Sequence, residues 1–262
     1  MRLLAVIPAR LGATRLPRKP LRLLGGRPLV VRVWEHVARL GVADRCVVAT
    51  DHPDVAAAVR DAGGEAVLTR DDHPSGTDRV AEVARLPEFA AFDAVVNIQG
   101  DEPFASAEVV HAASSLVVGG RFPLGTVACP APPDVLAAPD AVKVVTTDDG
   151  RALYFSRAPI PFLREGGDAG DRARRDALVR RHVGIYAYTR DALERWVAAP
   201  PHPLELVERL EQLRPLAAGT PIGVAHVPEA PPAGIDTEQD LADANARWAA
   251  WEASRPSAIP RR

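Results

Sequence analysis

The chain has 262 residues, 47% of them hydrophobic, and its 32 Lys and Arg against 34 Asp and Glu give a formal net charge of −2. This composition is that of an ordinary globular protein, long enough to bury a full hydrophobic core without disulfides or structural metals. The near-neutral balance excludes a general nucleic-acid or anionic-membrane binder, since such proteins carry a clear excess of Lys and Arg. Any phosphate-binding site must therefore be a local cluster of cations.

Cysteines and apolar runs indicate the compartment. Cys46 and Cys129 are far apart and belong to no CxxC pair, so we predict neither a disulfide framework nor a zinc site. The longest uncharged stretch, residues 215–228, contains Gly and Pro and is shorter than the roughly 20 apolar residues that cross a bilayer. The amino-terminal MRLLAVIPAR lacks the apolar core and cleavage site of a secretory signal. We expect a cytoplasmic protein with no membrane span.

The first half of the chain alternates apolar runs with helical periodicity. Apolar runs predict strands at residues 3–7, 45–50, 66–69 and 94–98. Helical spacing and end signals predict helices at residues 29–40, 51–62, 77–86 and 107–118. A long loop, residues 8–27, separates the first strand from the first helix. This alternation predicts an α/β fold with a Rossmann-like, doubly wound sheet.

The pattern changes after Gly120. Residues 142–147 and 152–156, joined by a DDG turn, predict an antiparallel hairpin. The Gly-, Asp- and Arg-rich residues 165–181 predict a mobile loop that would suit a lid, and residues 182–188 return to strand composition. The hairpin indicates a small antiparallel subregion inserted into the mixed sheet.

The last third of the chain predicts a helix, a strand and a terminal helix. The helix at residues 204–217 is amphipathic, and a strand at 222–227 and a helix at 238–251, capped by Asp236 or Thr237, follow it. The predicted buried stripe of the first helix is Leu206, Val207, Leu210 and Leu213, with Glu208, Glu211 and Gln212 off it.

These elements predict one domain. We place it at residues 1–252, with the inserted subregion at about residues 121–190 and a disordered tail at residues 253–262.

The loop after the first strand is strongly basic. Its cations, with no acidic residue among them, are Arg10, Arg15, Arg18, Lys19, Arg22 and Arg27. Ligands of open α/β sheets bind at the carboxyl ends of strands, where Arg, Lys and backbone N–H groups bind phosphate. The loop therefore predicts a polyphosphate site, although it matches neither GxGxxG nor a Walker A sequence. The alternative, a solvated basic surface, applies best to Arg22 and Arg27.

Two acidic segments could complete such a site. The strand in VVNIQGDEP ends in Gln99, Gly100, Asp101 and Glu102, so carboxylates are placed at the ligand edge. Mg²⁺ prefers one or two carboxylates together with water and phosphate oxygens, which makes Asp101 the leading candidate metal ligand. A simple strand-ending turn is the alternative. Asp236 in GIDTEQDL is either a second ligand or the N-cap of the last helix.

These residues together closely resemble the 3-deoxy-manno-octulosonate cytidylyltransferases, also called CMP-Kdo synthetases, over residues 3–248. The motifs that carry the resemblance are IPAR with TRLPRKPL, VATDHPDVA, TRDDHPSGTDRVAEV, NIQGDEP, AVKVV, ALYFSRAPIP, RHVGIYAY, PLELVERLEQLR and GIDTEQDL. The resemblance implies a fold of the nucleotide-diphospho-sugar transferase type. It also implies a Mg²⁺-dependent homodimer that transfers CMP from CTP to the anomeric hydroxyl of Kdo, with release of pyrophosphate, for lipopolysaccharide assembly.

Matched residue by residue, the resemblance implies three sets of site residues. The triphosphate grip and the metal ligands fall on Arg10, Arg15, Lys19, Asp101 and Asp236, in agreement with the prediction from the residues alone. The cytosine pocket and its neighbours fall on Ser75, Gly76, Thr77, Arg79 and Gln99. The sugar-acid site falls on Arg157, His182, Tyr186, Glu211 and Gln212. From the residues alone, the SGT segment indicates only a helix N-cap, His182 and Tyr186 structural positions, and Glu211 a solvated one.

One departure and three alternatives accompany the resemblance. The family loop usually reads LPGKP, and Arg18 replaces its glycine here, which removes backbone freedom beside Lys19. The nearest alternative is a cytidylyltransferase for another sugar acid, such as 8-amino Kdo or a nonulosonate. A sugar-1-phosphate nucleotidyltransferase and a non-catalytic nucleotide-binding domain are the others. We expect catalysis by positioning and charge, with no side-chain general base.

Overall fold

The computed structural model describes residues 1–12, 15–131 and 133–254, which form two compact units. The first unit is Met1–Val110 with the described residues from Pro231 onward, and the second unit is His111–Ala230. The strands are β1 Leu3–Pro8, β2 Leu23–Leu24, β3 Arg27–Pro28, β4 Arg45–Thr50, β5 Ala66–Leu68, β6 Ala94–Asn97, β7 Leu124–Pro130, β8 Lys143–Thr146, β9 Ala152–Ser156, β10 Arg180–Thr189 and β11 Ile222–His226. The α-helices are α1 Leu29–Leu40, α2 Pro53–Asp61, α3 Gly76–Arg85, α4 Ala107–Val118, α5 Pro133–Ala137, α6 Ala169–Leu178, α7 Arg190–Ala198, α8 Pro203–Glu208, α9 Leu213–Ala217 and α10 Glu238–Ser254.

A parallel sheet in the order β6-β1-β4-β5 forms the centre of the first unit. Residues 3–7 of β1 are all buried, as expected for a strand covered on both faces. The strands and helices predicted for this unit are confirmed, with ends within two residues of the prediction except for α10, which ends three residues later than predicted. Because the strands are parallel, the loops after β1, β4 and β6 leave the sheet at one edge.

The loop between β1 and α1 is more structured than predicted. It contains a short 3₁₀ helix, Lys19–Leu21, and the two-stranded hairpin of β2 and β3. Arg18, at the N-cap of the 3₁₀ helix, has φ +54° and ψ +32°, a left-handed conformation that favours glycine. The position at which the related loops have glycine therefore keeps a glycine-type conformation here.

Strand β7 is central to the second unit. It pairs with β11 in parallel and with β10 antiparallel, and β10, β8 and β9 continue as antiparallel neighbours. The predicted hairpin is confirmed as β8 and β9, so the α/β class with a small antiparallel subregion is also confirmed. The sequence patterns did not indicate β7, α5 or α7.

Residues 165–181 were predicted as a loop, and this was wrong for most of the segment. They contain α6, which starts at a capping box in which Asp168 and Asp171 each accept a backbone N–H of the other. None of its residues is buried. The prediction was wrong because it relied on the glycine and charge composition and missed the capping sequence. The cap and ion pairs such as Arg174–Asp171, at 2.6 Å, stabilise a helix at the surface.

The single helix predicted at residues 204–217 is two short helices, α8 and α9, because Arg209 between them has φ +53°. The predicted buried stripe was wrong in its first half, since Leu206 and Val207 are 64% and 83% exposed. Leu210 and Leu213 are buried as predicted. The break lets Glu205, rather than Leu206 or Val207, turn inward, where it pairs with Arg214 through two hydrogen bonds of 2.5 and 2.8 Å.

Several remaining predictions concern the chain as a whole. No helix of the described ranges is long and apolar enough to cross a membrane. Both cysteines are free thiols, and burial raises the pKa of Cys46 to about 12, which disfavours a reactive thiolate. The two compact units do not test the predicted single domain at residues 1–252 or the inserted subregion at about residues 121–190. Both stay predictions. Residues 255–262 of the predicted disordered tail lie outside the described residues.

Candidate active site

Three segments far apart in sequence meet at Lys19 in the first unit. The Lys19 ammonium lies 2.6 Å from the Asp101 carboxylate and 2.9 Å from the Asp236 carboxylate. The Arg15 guanidinium lies 2.9 Å from the other oxygen of Asp236. We name Arg15, Lys19, Asp101 and Asp236 the charge cluster. Four of the five side chains predicted for the triphosphate and the metal are therefore in one place.

A backbone hydrogen bond joins the two chain segments that carry the Asp101 and Asp236 carboxylates. The Ile235 N–H donates to the Asp101 carbonyl at 2.9 Å, which joins the loop after β6 to the segment before α10. Gly100 allows a second close approach, since a Cβ there would lie 2.7 Å from the Pro8 carbonyl oxygen at the end of β1. The cluster therefore lies at the ligand edge of the parallel sheet.

Thr237, and not Asp236, caps α10. The Thr237 hydroxyl accepts the Asp240 N–H at 3.1 Å, and the Asp240 carboxylate accepts the N–H groups of Asp236 and Thr237 at 3.0 and 2.8 Å. This reciprocal cap leaves the Asp236 carboxylate to the cations. The sequence alternative in which Asp236 serves only as the cap is wrong.

The cluster is electrically balanced. Burial alone would lower the pKa of Lys19, but Asp101 and Asp236 outweigh that effect and raise it above the ordinary value. The ammonium is therefore charged at neutral pH, and two cations face two carboxylates. An incoming polyphosphate would add negative charge that these four groups do not offset, which favours a further cation at this place.

The donor set fits Mg²⁺ as that cation. Asp101 and Asp236 supply carboxylate oxygens that already converge on one cation, and their side chains are 24% and 42% exposed, which leaves access for water and phosphate oxygens. The described residues contain no group of three His, Cys, Asp or Glu side chains that would form a complete protein cage. Few protein ligands and several outer oxygens are the arrangement that Mg²⁺ prefers.

The other cations of the basic loop differ in their contacts. Arg10 is exposed just after β1, with no ion pair to a described residue. Arg22 forms a bidentate pair with Glu238, with distances of 2.5 and 2.7 Å. Arg18 lies 3.2 Å from Asp54. Arg10 is thus the loop cation most available to an anion, and Arg22 links the loop to α10.

Asp51 is a structural contributor that the sequence predictions missed. Its carboxylate accepts the Leu11 N–H at 3.1 Å and a guanidinium N–H of Arg79 at 3.2 Å. Arg79 is buried and also donates to Thr69 and to the Arg70 carbonyl. Asp51 therefore joins the loop after β1 to α3. Its position directly after β4 was the available sequence signal.

The predicted cytosine-pocket residues lie at the same edge of this sheet. Ser75 is the N-cap of α3: its hydroxyl accepts the Thr77 and Asp78 N–H groups and donates to the Asp78 carboxylate at 2.7 Å. A Cβ on Gly76 would lie 3.5 Å from the Pro8 ring. Gln99 follows β6 and is partly exposed. The N-cap prediction is confirmed, and the backbone of this turn lies beside the end of β1.

The predicted sugar-acid residues all belong to the second unit. His182 and Tyr186 are on β10 with ring centroids 5.3 Å apart, and Phe155 also packs against His182, with ring centroids 5.1 Å apart. Desolvation lowers the pKa of His182 to about 3, so the ring is neutral at ordinary pH. Burial, followed by smaller effects of Tyr188 and Glu211, raises the pKa of Tyr186 well above its usual value. Gln212, at the N-cap of α9, is buried.

Arg157 is largely committed to the protein itself. Its guanidinium donates to the carbonyl oxygens of Glu208, Pro139 and Arg209 at 2.9, 2.9 and 3.4 Å. The Glu208 carboxylate accepts the Arg157 backbone N–H at 2.9 Å and the Ser156 hydroxyl at 2.6 Å. Two of the five guanidinium N–H groups remain for a ligand. Glu208, which the sequence pattern placed on a solvated face, is thus a structural anchor.

We name the His182 and Tyr186 side chains of the second unit the polar aromatic group. Comparisons with known proteins identify the family of this chain. Residues 4–222 match the model of the cytidylyltransferase family. The chain is 62% identical over 258 residues to a 3-deoxy-manno-octulosonate cytidylyltransferase of Gemmatimonas aurantiaca, covering 98% of each chain. It is 47% identical over 240 residues to the enzyme of that name from Polynucleobacter necessarius, covering 91% of this chain and 92% of the relative.

A solved structure extends this similarity to the fold. It is described as CMP:2-keto-3-deoxy-manno-octonic acid synthetase complexed with CTP, and it superposes with a TM-score of 0.85 at 38% identity. The superposition covers 96% of this chain and all of the solved one. Sequence and structure therefore agree along nearly the whole length, and the chain belongs to the 3-deoxy-manno-octulosonate cytidylyltransferase family.

Proposed function

We propose that this enzyme transfers CMP from CTP to the anomeric hydroxyl of 3-deoxy-D-manno-octulosonate (Kdo). The sugar oxygen attacks the α-phosphorus, the bond from that phosphorus to the bridging oxygen of the β-phosphate breaks, and the products are CMP-Kdo and pyrophosphate. The observation that carries this proposal is the charge cluster, found in a chain 62% identical to a relative of that name.

Each part of the cluster has a place in this reaction. Lys19 and Arg15 would neutralise the departing pyrophosphate, together with the exposed Arg10 at the end of β1. Asp101 and Asp236 would hold Mg²⁺, which supplies positive charge for the triphosphate when bound. The backbone at Ser75, where α3 begins, would bind the nucleotide, and the contact between Arg79 and Asp51 supports a fixed position of that turn.

The predicted sugar-acid residues suit a ligand with one carboxylate and several hydroxyl groups. Two N–H groups of Arg157 remain for the carboxylate, and His182 and Tyr186 offer neutral hydrogen-bonding atoms for hydroxyls. Glu211 and Gln212 at the start of α9 would complete this set. An acceptor that carries a phosphate, as in sugar-1-phosphate nucleotidyltransferases, would require more free cations than the described part of this group provides.

Pyrophosphate release tests the proposal. CTP and Mg²⁺ are combined with Kdo, 8-amino Kdo, a nonulosonic acid or a sugar 1-phosphate. Robust release with Kdo is the expected result. Release only with another acid would keep the nucleotide and metal assignments and overturn the substrate, whereas no release with any acceptor would favour a non-catalytic nucleotide-binding domain.

We further propose a cytoplasmic homodimer that serves lipopolysaccharide assembly. The substrate CTP supports the compartment. The exposure of Val207, Phe162 and Leu178, at 83%, 79% and 62%, supports an interface on the second unit. Light scattering after size-exclusion chromatography would test the dimer, and a monomeric mass at assay concentration would contradict it.

A further inference from the structure

Thr126, on β7, lies opposite an irregularity in β10. The two strands pair regularly as far as Val183, after which the register shifts so that Tyr186 lies opposite Thr126. Gly184 and Ile185 are therefore additional residues on β10, as in a β-bulge. The carbonyl groups of Val183 and Ile185 both face the Thr126 hydroxyl, at 3.2 and 2.8 Å.

The contacts of Thr126 determine which nitrogen of His182 carries the proton. The Thr126 hydroxyl oxygen lies 2.9 Å from His182 Nε2. A carbonyl oxygen can only accept, so the single hydroxyl proton is donated toward Ile185 or Val183. The hydroxyl oxygen must then accept from His182, which places the proton on Nε2. Because the ring is neutral, Nδ1 has a lone pair.

Two polar atoms are left over on rings whose centroids are 5.3 Å apart. His182 Nδ1 makes no hydrogen bond to any residue that the structure describes. The Tyr186 hydroxyl is buried and has no hydrogen-bond partner among those residues. Buried polar groups are rarely left unpaired, so a hydroxyl with no partner points to a ligand. A free acceptor beside a phenol suits the hydroxyl groups of a sugar.

We propose that Thr126 is a positioning residue of the sugar-acid site: it holds His182 in the Nε2–H tautomer, so that Nδ1 accepts a hydrogen bond from a sugar hydroxyl beside Tyr186. This inference rests on the proposed function. Thr126 acts only through His182 and does not touch the sugar itself. Neither the motifs nor the resemblance singled out this residue.

The tautomer can be measured directly in the intact protein. Histidine ring ¹⁵N spectra are compared for the wild type, Thr126→Val and Thr126→Ser, and each protein is assayed with CTP, Mg²⁺ and Kdo. We expect a neutral Nε2–H ring for His182 in the wild type and in the serine variant, which keeps the hydroxyl. In the valine variant we expect loss of that signature and a KM for Kdo about tenfold higher, with an unchanged KM for CTP.

Two results would overturn the inference. One is an Nδ1–H or charged ring in the wild type, which requires no variant and remains decisive even if Thr126→Val does not fold. The other is a valine variant that changes the tautomer while its KM for Kdo stays at the wild-type value. Failure of the proposed function is a separate result, since the wild-type enzyme would then not release pyrophosphate with Kdo, whatever its spectrum.

Discussion

The charge cluster of the first unit and the polar aromatic group of the second unit differ in whether their polar atoms already have partners in the protein. In the cluster, opposite charges are already paired at 2.6 to 2.9 Å and partly exposed to water. On β10, the His182 and Tyr186 rings are neutral, and the Tyr186 hydroxyl is buried without a partner. In a site for a charged ligand, the paired side chains can exchange a protein partner for the ligand. In a site for a neutral hydroxyl, polar atoms stay without a protein partner and are free to bind the ligand.

Asp101→Asn should have the largest effect, because it removes one charge of the charge cluster without changing the shape of the side chain. We expect kcat/KM to fall by about 10²- to 10³-fold, the usual cost of losing one preorganised electrostatic partner. Unfolding free energy should change by less than about 1 kcal/mol, because Asp236 remains as a partner for Lys19. The assay is pyrophosphate release at limiting Mg²⁺.

Asp191→Asn is the matched control for that variant, because Asp191 also pairs with an arginine, Arg195, at 2.9 Å on the exposed face of α7. It should retain wild-type activity. Full activity of Asp101→Asn at limiting Mg²⁺ would contradict the metal assignment.

Tyr186→Phe removes the unpartnered hydroxyl of the second unit. The phenol has no protein partner to lose among the described residues, so we expect unfolding free energy to stay within about 0.5 kcal/mol of the wild type or to increase. The KM for Kdo should rise about tenfold through loss of one hydrogen bond to the sugar. Urea unfolding and steady-state kinetics measure the two effects. A destabilised variant with normal KM would show that the hydroxyl is structural.

The neutral His182 ring makes the second unit sensitive to acid. Its pKa is about 3 in the folded protein against 6.5 ordinarily, so the unfolded chain binds an additional proton as pH falls below about 6.5. This contribution to stability is complete above pH 6.5 and is lost progressively toward pH 3. His182→Gln should therefore lose about 2 kcal/mol less unfolding free energy than the wild type between pH 7 and pH 5.

Urea unfolding at both pH values measures that difference, with His111→Gln on the exposed side of α4 as the control. Equal losses in the wild type and His182→Gln would mean that the ring is not held neutral in the folded protein.

The smallest effect concerns Arg18, beside the charge cluster. A non-glycine residue in the left-handed region costs about 1–2 kcal/mol, whereas glycine costs about 0.5–1 kcal/mol of folding entropy. We therefore expect Arg18→Gly to stabilise the protein by about 0.5 kcal/mol, because the exposed pair with Asp54 adds little. Urea unfolding measures the change, and a destabilised variant would contradict this account of the loop.

Arg39→Gly serves as the control for that change. Arg39 is exposed in the last turn of α1, where its backbone is helical, and glycine should destabilise the protein there by up to about 1 kcal/mol.

The two units also differ in how far the sequence predicted them. The first unit was predicted well because its apolar runs and helical periods are local signals. In the second unit, Gly125 and Thr126 dilute the apolar run of β7, and nothing in the sequence marks the positive φ of Arg209 that divides the predicted helix. Local patterns do not contain such information.

The candidate active site was also predicted only in part from local sequence patterns. The strand-end position of Asp101 and the resemblance together predicted the side chains that meet at Lys19. The roles of Asp51 and Thr126 depend on contacts across 40 and 56 residues, which no spacing rule indicates. The helix prediction for α10 also left two capping residues open, and only the Asp240 contacts decide for Thr237.

The hydrogen bond between Ile235 and Asp101 has a consequence for synthesis of the chain. The four-stranded sheet of the first unit is complete at residue 97, but the second carboxylate arrives only at residue 236. A fragment that ends before Asp236 therefore retains every strand of that sheet and lacks half of the candidate metal site. During translation Asp236 is therefore added only after every parallel strand of the first unit has been made, so the charge cluster is the last part of this sheet edge to be completed.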